Sequence, residues 1–410
     1  MPPENHHSLY RNIASMEPMM PRAEKGRLAE LSAEIFSGAG ELRRVLPSAV
    51  VREELARLVR GMNSYYSNLI EGHKTLPRDI ERALAKDFSR SADDRRNQEM
   101  SAAHVRTEEA MRLRLREDTG TDVFSAEFIR WLHREFYSNL PKKERVTVTE
   151  SGKRYPLEPG ELRGYHVDVG SHQPPDHEAL PQFMERFHRA YSGPDILATE
   201  RLVAMAAAHH RLAWIHPFGD GNGRVARLQS QAAMIRAGVD GEGLWTLSRG
   251  IARARGSYYQ HLRAADRGRA GDLDGRGNLS DKALAGFCIY LLELVLDQVK
   301  FMIDLIDPVN LVSRVEKYFQ FVRTDLEPRF QRALPELLGG LVMQGELQRG
   351  AVGDILGLKG TAAREVIRKA LDEGLVSSPS EKGVLRIAFP DKVVEYWLPG
   401  LFTDLPVDGE

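Results

Sequence analysis

Residues 216–224 read His-Pro-Phe-Gly-Asp-Gly-Asn-Gly-Arg, and Arg227 follows one helical turn later. The Gly-Asn-Gly triplet can adopt positive φ angles that turn successive backbone N–H groups toward one concave surface. Apolar residues at helical spacing follow the triplet, so the positive end of a helix dipole faces the same surface. The run therefore predicts a phosphate site at the start of a helix. Its candidate phosphate ligands are Gly221, Asn222, Gly223, Arg224 and Arg227.

Two further side chains of this run carry chemistry that a phosphate site needs. Asp220 offers a carboxylate oxygen to Mg²⁺, an ion that proteins bind through few carboxylates together with the phosphates of the substrate. His216 is expected to titrate near neutrality, and it could accept the proton of a hydroxyl group that attacks phosphorus. Asp220 is therefore the metal candidate and His216 the catalytic candidate.

Together with Arg227, the run matches the signature HxFx[DE]GNGRxxR without a departure, and the chain resembles the Fic (Fido) family. The resemblance implies AMPylation: transfer of AMP from Mg-ATP to a Tyr, Thr or Ser hydroxyl of a protein, the enzyme itself included, with release of pyrophosphate. It makes His216 the general base and Arg227 the ligand of the γ-phosphate. It also places a tyrosine against the adenine, and of the neighbours Tyr258 and Tyr259 we expect Tyr259 to face the nucleotide.

Two other functions stay open at this point. One is the reverse enzyme, which removes AMP from a modified protein and which similar folds can also perform. The other is a DNA-binding regulator whose Fic core serves as a nucleotide sensor. Labelling of protein by ATP and retention of DNA by the chain are the observations that separate these functions.

Residues 67–72 read Ser-Asn-Leu-Ile-Glu-Gly and match the inhibitory motif [ST]xxxE[GN] of Fic proteins. The motif ends a predicted helix that precedes the core. The resemblance implies that Glu71 pairs with Arg227 and thereby withholds this arginine from the γ-phosphate, with Ser67 as the first residue of the motif. The enzyme is therefore expected to be made in a restrained state.

Residues 165–169 read Tyr-His-Val-Asp-Val, a strict alternation that predicts a β-strand. The segment resembles the β-hairpin flap of Fic enzymes, which pairs with an extended segment of the target protein. An exposed edge strand binds a peptide through main-chain hydrogen bonds in the same way. Val167, Val169 and Gly170 are the candidate target-docking residues.

The fold class that follows is mainly α: a Fic-type helical core with a β-hairpin flap, an N-terminal helical region and a C-terminal winged helix-turn-helix. Helical spacing predicts one helix from Ser48 to a stop at Gly72, and another that begins after Ser125. The predicted divisions are residues 1–122 for the N-terminal region, 123–268 for the catalytic domain, 269–325 for connecting helices and 326–410 for the winged helix.

In the C-terminal region, residues 351–358 and 361–373 read as a helix-turn-helix, and 375–376 and 384–389 as the strands of a wing. Residues 326–400 hold ten basic and ten acidic side chains. DNA-binding domains usually present a clear positive face, so this balance favours a protein-interaction or dimer-bracing module over DNA as the partner.

Composition sets outer limits on function. The 410 residues include 57 basic and 58 acidic side chains, a net charge of −1, which excludes a globally basic nucleic-acid coat. The single cysteine, Cys288, excludes a disulfide framework and a Cys-based zinc site. The N-terminus has no signal-peptide pattern and no apolar run is long enough for a membrane, so we expect a soluble cytoplasmic protein. The family resemblance adds the expectation of a homodimer.

Overall fold

The structure is a computed structural model, and it describes residues 11–148, 152, 154–170, 172–193 and 196–405. The first ten and the last five residues of the predicted terminal regions lie outside the described residues. Helices dominate this part of the chain, which confirms the predicted fold class. Within the same residues, no helix has the length and apolar character that crossing a membrane requires.

Serine caps define the starts of two early helices. The helices that precede the first strand are α1 (Lys25–Val45), α2 (Ala49–Ile70), α3 (Pro77–Leu84), α4 (Ala92–Glu117) and α5 (Ala126–Ser138). Ser48 Oγ accepts a hydrogen bond from the N–H of Val51, and Ser125 Oγ accepts one from the N–H of Phe128. Because each serine satisfies an N–H group that the first turn leaves unpaired, both predicted starts are confirmed.

The centre of the molecule is a helical layer built around two neighbouring helices. The helices of this part are α6 (Leu180–Tyr191), α7 (Arg201–Ile215), α8 (Asn222–Ala237), α9 (Leu247–Arg253), α10 (Arg255–Ala265), α11 (Asp281–Ile306) and α12 (Pro308–Lys317). Helices α7 and α8 pack side by side and are buried along almost their whole length. The long helix α11 packs against α1, α7 and α10. The loop between α7 and α8 is therefore anchored by the core at both ends.

The β-structure before residue 200 differs from the prediction. Strands β1 (Val146–Val148) and β2 (Arg154–Pro156) form an antiparallel pair that the sequence did not indicate. The predicted strand at 165–169 is wrong, because this segment forms only an isolated bridge between Val169 and His172. Alternation favours an extended segment, but a strand also needs a neighbouring strand to pair with. Here the carbonyl of Tyr165 accepts a hydrogen bond from Arg163 Nη1 rather than from the main chain of such a strand.

The C-terminal part contains the helix-turn-helix and the later strands where they were predicted, and one further strand. Its helices are α13 (Pro328–Gln344), α14 (Val352–Ile355), α15 (Gly360–Asp372) and α16 (Asp391–Trp397), and its strands are β3 (Glu346–Leu347), β4 (Val376–Ser377) and β5 (Leu385–Ile387). The strands form an antiparallel sheet in the order β3-β5-β4. The two-residue β3 carries too little pattern to be predicted from sequence.

The segment that follows α16 returns to the last turns of α2. The Tyr66 hydroxyl donates a hydrogen bond to the carbonyl of Leu401 and accepts one from the N–H of Thr403, both at 2.9 Å. Lys74 Nζ lies 2.7 Å from a carboxylate oxygen of Asp404. The C-terminal end of α2 is therefore held by the far end of the chain.

A buried polar network also holds α2 against α4 and α8. Asn63 Nδ2 donates to Glu108 Oε2 at 2.6 Å, and Gln231 Nε2 donates to Glu108 Oε1 at 2.7 Å. Arg112 Nε completes the network at 3.0 Å from Glu108 Oε1. Although burial alone would raise the pKa of Glu108, the charge of Arg112 and the hydrogen bonds lower it, so the carboxylate is ionised.

Removal of this buried carboxylate should destabilise the fold. We expect Glu108→Ala to lower the free energy of unfolding by about 3 kcal/mol, because Arg112 keeps only its pair with Asp240 and the amides of Asn63 and Gln231 lose a buried acceptor. Glu109→Ala, which removes a half-exposed carboxylate from the neighbouring position, should cost less than about 1 kcal/mol. Urea unfolding followed by circular dichroism measures both variants. Equal losses would show that the network does not stabilise the fold.

Candidate active site

The loop between α7 and α8 is fixed by its own side chains. Asn222 Oδ1 accepts a hydrogen bond from the N–H of Phe218, and Asn222 Nδ2 donates to the Phe218 carbonyl, both at 2.9 Å. The Phe218 ring is fully buried and stacks on His133 with ring centroids 4.0 Å apart. The predicted cradle residue Asn222 therefore braces the loop with its side chain, while its backbone begins α8.

Two glycines of the loop are required by close approaches. Gly221 has φ 79°, and a Cβ at this position would lie 2.8 Å from the Tyr137 ring. A Cβ on Gly223 would lie 2.2 Å from Glu71 Oε1. A side chain at position 221 would collide with the Tyr137 ring, whereas one at position 223 would displace the end of the Glu71 side chain. The Glu71 carboxylate thus lies over the first turn of α8, where a helix N-terminus attracts an anion.

Asp220 is an ionised carboxylate at the edge of the loop, with 46% of its side chain exposed. Tyr137 donates to Asp220 Oδ2 at 2.8 Å, and the N–H of Gly221 donates to Oδ1 at 2.7 Å. Burial raises the pKa of Asp220, but the charge of Arg224 and these hydrogen bonds lower it by more. The carboxylate keeps unused lone pairs for a cation.

The donor set around Asp220 fits Mg²⁺ in company with a substrate. Among the described residues, no group of three or more His, Cys, Asp or Glu side chains could hold a metal ion on its own. Mg²⁺ takes six oxygen ligands and is usually bound through one or two carboxylates plus substrate phosphates and water. Asp220 would be the protein ligand of such an ion, and it would hold the ion only together with a bound phosphate.

Arg224 is a buried cation without a close anionic partner. Its side chain is 3% exposed, and its nearest carboxylate oxygen, Asp220 Oδ1, lies 4.0 Å from Nη2. Arg224 Nε has no hydrogen-bond partner, Nη1 lies 3.5 Å from Met100 Sδ, and the guanidinium lies 5.0 Å from the centre of the Phe136 ring. A buried guanidinium that is this poorly compensated favours the binding of an anion.

Arg227 is fully engaged by the motif at the end of α2. Its Nη2 donates to Glu71 Oε1 at 2.7 Å and to the Ser67 carbonyl at 2.9 Å. Its Nε donates to Ser67 Oγ at 3.0 Å. Burial raises the pKa of Glu71, but the charges of Arg227 and Arg224 lower it by more, so Glu71 is ionised. The structure therefore brings Ser67, Glu71 and Arg227 together.

His216 differs from the prediction in its titration. It follows α7 with a left-handed backbone (φ 49°, ψ 60°), and its carbonyl accepts a hydrogen bond from Arg163 Nε at 2.9 Å. Burial, together with the charges of Arg163 and His172, lowers the pKa of His216 to about 4. The expectation of a pKa near neutrality is wrong because residue type alone does not reveal these surroundings. At pH 7 the imidazole is neutral.

The two tyrosines of α10 differ in burial. Tyr258 is buried, and its hydroxyl lies 2.8 Å from His209 Nε2 in the core. Tyr259 is partly exposed, and its hydroxyl donates to the Ile70 carbonyl at 3.4 Å, next to Glu71. A cleft of about 370 Å³ opens beside it. The cleft is lined mainly by Val169, Gly170, Trp214, Tyr259 and Leu262.

The segment of the candidate docking residues lies at the mouth of this cleft. Val169 and Gly170 line the cleft and are exposed, while Val167 is partly buried. Arg163 Nη2 donates to the Pro175 carbonyl at 2.5 Å and so ties the two ends of the segment together. The described residues of this segment thus lie beside the loop between α7 and α8.

Sequence reasoning missed three residues that hold the loop. His133 and Tyr137 lie one turn apart on α5, and both reach Asp220, His133 through the Asp220 carbonyl at 3.3 Å. Because His133 Nδ1 accepts from the N–H of Gly160, its proton is on Nε2. Arg163 is the third. The spacing of His133 and Tyr137 indicates a shared helix face, but it does not reveal what that face contacts.

Comparisons with known proteins point to one family. Residues 123–233 match the Fic/DOC family. Over 139 residues the chain is 33% identical to "Protein adenylyltransferase Fic" of Nematostella vectensis and 36% identical to the protein of the same name from Drosophila erecta. These alignments cover 32% of this chain in both cases, and 31% and 27% of the relatives. The matched part thus spans about a third of those proteins.

Solved structures share the fold at low sequence identity. A Fic family protein from Desulfovibrio desulfuricans G20 superposes with a TM-score of 0.52 over 90% of this chain and 98% of its own, at 17% identity. A Fic domain containing signaling protein from Bacteroides thetaiotaomicron gives 0.50 over 67% and 96%, at 19% identity. The fold and the loop define a helical protein with a candidate anion site at one helix N-terminus. Through residues 123–233, the chain is similar to the Fic/DOC family.

The lowered pKa of His216 can be measured directly. In the native protein the imidazole C–H resonance of His216, assigned by its loss in His216→Ala, should stay at its neutral position from pH 8 to pH 5.5 and reach half-titration near pH 4. The same resonance in urea should titrate near pH 6.5, where an unperturbed histidine does. A native midpoint at or above pH 6 would contradict the buried, positively charged surroundings described above.

Proposed function

We propose that the protein is an adenylyltransferase that moves AMP from Mg-ATP to a Tyr, Thr or Ser hydroxyl of a protein and releases pyrophosphate. The observation that carries the proposal is the buried and only weakly paired guanidinium of Arg224 beside the N-terminus of α8. This arrangement favours an anion within the same loop that carries His216 and Asp220. The relatives named protein adenylyltransferase Fic support the same reaction.

The reaction needs one bond to form, one to break and one proton to move. The target's hydroxyl oxygen attacks the α-phosphorus, and the bond from that phosphorus to the oxygen bridging to the β-phosphorus breaks. The hydroxyl proton passes to a ring nitrogen of His216, which is neutral at pH 7 and so free to accept it. The low pKa of His216 then favours release of this proton to solvent, which restores the neutral ring.

The remaining residues of the loop position the nucleotide. Arg224 and the backbone N–H groups of Asn222 and Gly223 would hold the α- and β-phosphates, and Arg227 the γ-phosphate. Asp220 would hold Mg²⁺, which when bound supplies charge neutralisation between the phosphates. The catalytic gain then comes from positioning and from charges that are in place before the reaction begins.

Tyr259 and the cleft beside it are the proposed site of the adenine. The cleft of about 370 Å³ has Trp214 and Leu262 as apolar walls, which suits a planar base. The target would lie along residues 167–170, where the extended main chain has few partners of its own and can pair with a second extended segment. Val167, Val169 and Gly170 would contact the residues that flank the modified hydroxyl.

Glu71 is the proposed restraint on this activity. Its ion pair with Arg227, supported by Ser67, occupies the arginine proposed for the γ-phosphate. Its carboxylate also lies above Gly223, in the space that phosphate oxygens would need. A nucleotide that enters is then misplaced for attack at the α-phosphorus. The same ionised carboxylate could orient a water molecule, which favours AMP removal as the second candidate function.

The proposal extends to the organisation of the whole protein. We retain the divisions at residues 122, 268 and 325, a homodimeric assembly and a cytoplasmic location as predictions. Size-exclusion chromatography with light scattering would measure the assembly.

Labelling by ATP that carries radioactive phosphorus at the α-position tests the main proposal. Purified protein and a lysate of the source cell should give labelled protein, and His216→Ala should abolish the label because the hydroxyl loses its proton acceptor. ATP binding by this variant should stay within about twofold, since the loop and the arginines remain. His188→Ala, a surface histidine of α6, is the control and should label normally. Label at the parental rate in His216→Ala would refute its role.

Release of the restraint is a separate prediction. Glu71→Gly should raise labelling about tenfold to a hundredfold, because misplacement of reacting groups by about 1 Å costs roughly that factor. Glu117→Gly removes an exposed carboxylate from the last turn of α4 and should change nothing. Arg227→Ala should remove labelling with either residue at position 71. If Glu71→Gly labels no more than the parent, Glu71 is only a charge at a helix end.

If no protein is labelled by the parent or by Glu71→Gly, the transferase proposal itself is wrong. Release of AMP from a labelled protein by the parent, but not by Glu71→Gly, would instead identify the reverse reaction as the main one.

A further inference from the structure

A groove in the C-terminal part carries three arginines. It lies between α15 and the loop that follows β4, and its volume is about 760 Å³. Arg364 and Arg368 line it from α15, Arg349 from the turn after β3, and Ser378 and Ser380 from the loop. Cations and hydroxyl groups from three separate segments thus meet on one concave surface.

Two acids of this region, Glu365 and Glu373, are paired away from the groove and therefore add no negative charge to it. Glu373 accepts from Arg323 at 3.0 Å, from Lys369 at 2.9 Å and from Lys392 at 2.6 Å, and these cations hold its pKa far below the usual value. Glu365 pairs with Arg329 at 2.6 Å. The charge count from sequence therefore gave the wrong weight to these acids.

The arginines of α15 are left without compensation. Arg364 and Arg368 are exposed, and neither makes an ion pair or a hydrogen bond with any other described residue. Arg349 Nε donates to the Gly383 carbonyl at 3.1 Å, which fixes this guanidinium against the loop. Two acids, Asp372 and Glu381, also line the groove, so three positive charges face two negative ones there.

The arginines of the groove and its place in the fold favour a nucleic acid as the partner, although Ile367 and Leu371 add apolar surface to the lining. Protein interfaces rely on aromatic or aliphatic anchors, and the exposed large apolar side chains of the described chain include none between residues 344 and 395. Helix α15 has 13 residues, about 20 Å at 1.5 Å per residue, and it is the second helix of a helix-turn-helix, the element that enters the major groove of DNA. Arginine and serine side chains are common phosphate ligands in such complexes.

We propose that this groove binds duplex DNA through its backbone phosphates, with Arg349, Arg364 and Arg368 as the principal contacts. Three phosphate contacts predict a slope of about −2.7 in log K against log salt concentration, since each contact contributes about −0.9. Asp372 and Glu381 oppose the same phosphates, so binding is weakened but not prevented. This inference does not depend on the transferase proposal.

Fluorescence anisotropy with the full chain and a labelled 20-base-pair duplex tests the proposal at KCl concentrations from 50 to 200 mM. The double variant Arg364→Ala/Arg368→Ala should bind about tenfold more weakly at 100 mM and reduce the slope to about −0.9. The control Arg43→Ala/Arg44→Ala removes the same charge from the exposed last turn of α1 and should keep the parental slope. Asp372→Asn should tighten binding about twofold, an effect that misfolding cannot produce.

Three outcomes would overturn the proposal. The first is no salt-dependent binding of the duplex by the parent. The second is an equal loss in the groove variant and in the control, which would indicate attraction by net charge alone. The third is binding of polyglutamate in place of DNA, with competition that depends on Arg364 and Arg368, which would identify an acidic protein segment as the partner.

Discussion

The ion pair between Glu71 and Arg227 joins the residue that follows α2 to the first turns of α8. The proposed state of the candidate site depends on this pair. Such a pair adds little net stability, because the cost of removing both charges from water offsets their attraction. Glu71 is also 28% exposed, so solvent screens the pair further. Because the pair is this weakly held, an anion that reaches Arg227 with equal geometry can replace the carboxylate without unfolding the surroundings.

The way in which α2 is anchored limits the motion that can break this pair. Asn63 is tied to the buried Glu108, and Tyr66 is tied to the main chain at Leu401 and Thr403. Movement of α2 as a rigid body would break both sets of hydrogen bonds at once. Rotation of the Glu71 side chain breaks only the contact with Arg227, because Glu71 follows the last helical residue. The proposed restraint is therefore local, and release of Glu71 would leave the scaffold of the loop unchanged.

Sequence patterns predicted those features whose cause is local. A serine before an apolar helical series gave the starts of α2 and α5, and the Gly-Asn-Gly triplet gave the loop at the start of α8. Sequence patterns did not predict features that depend on a partner distant in the chain. Residues 165–169 alternate like a strand but have none to pair with, whereas β1 and β2 are too short to produce a pattern.

Properties of charge were equally invisible in the sequence, because they depend on burial and pairing. The pKa of His216 is lowered by burial and by Arg163, which is 53 residues away in the chain. The contacts of His133 and Tyr137 with Asp220 join α5 to a loop more than 80 residues later. Residue counts cannot show which acids neutralise which bases.

The site at Arg224 and the groove at Arg364 and Arg368 differ in how selectively they would bind an anion. Arg224 is buried and lies in a fixed loop, so the free-energy cost of desolvating it is already included in folding. An anion that binds there is attracted more strongly than in water, because the surrounding dielectric constant is low. Such a site distinguishes anions by shape. Arg364 and Arg368 are exposed, so water and salt screen them and they discriminate weakly between phosphates. A small nucleotide therefore suits the first site, and a long repeating polyanion, which can contact several weak cations at once, suits the second.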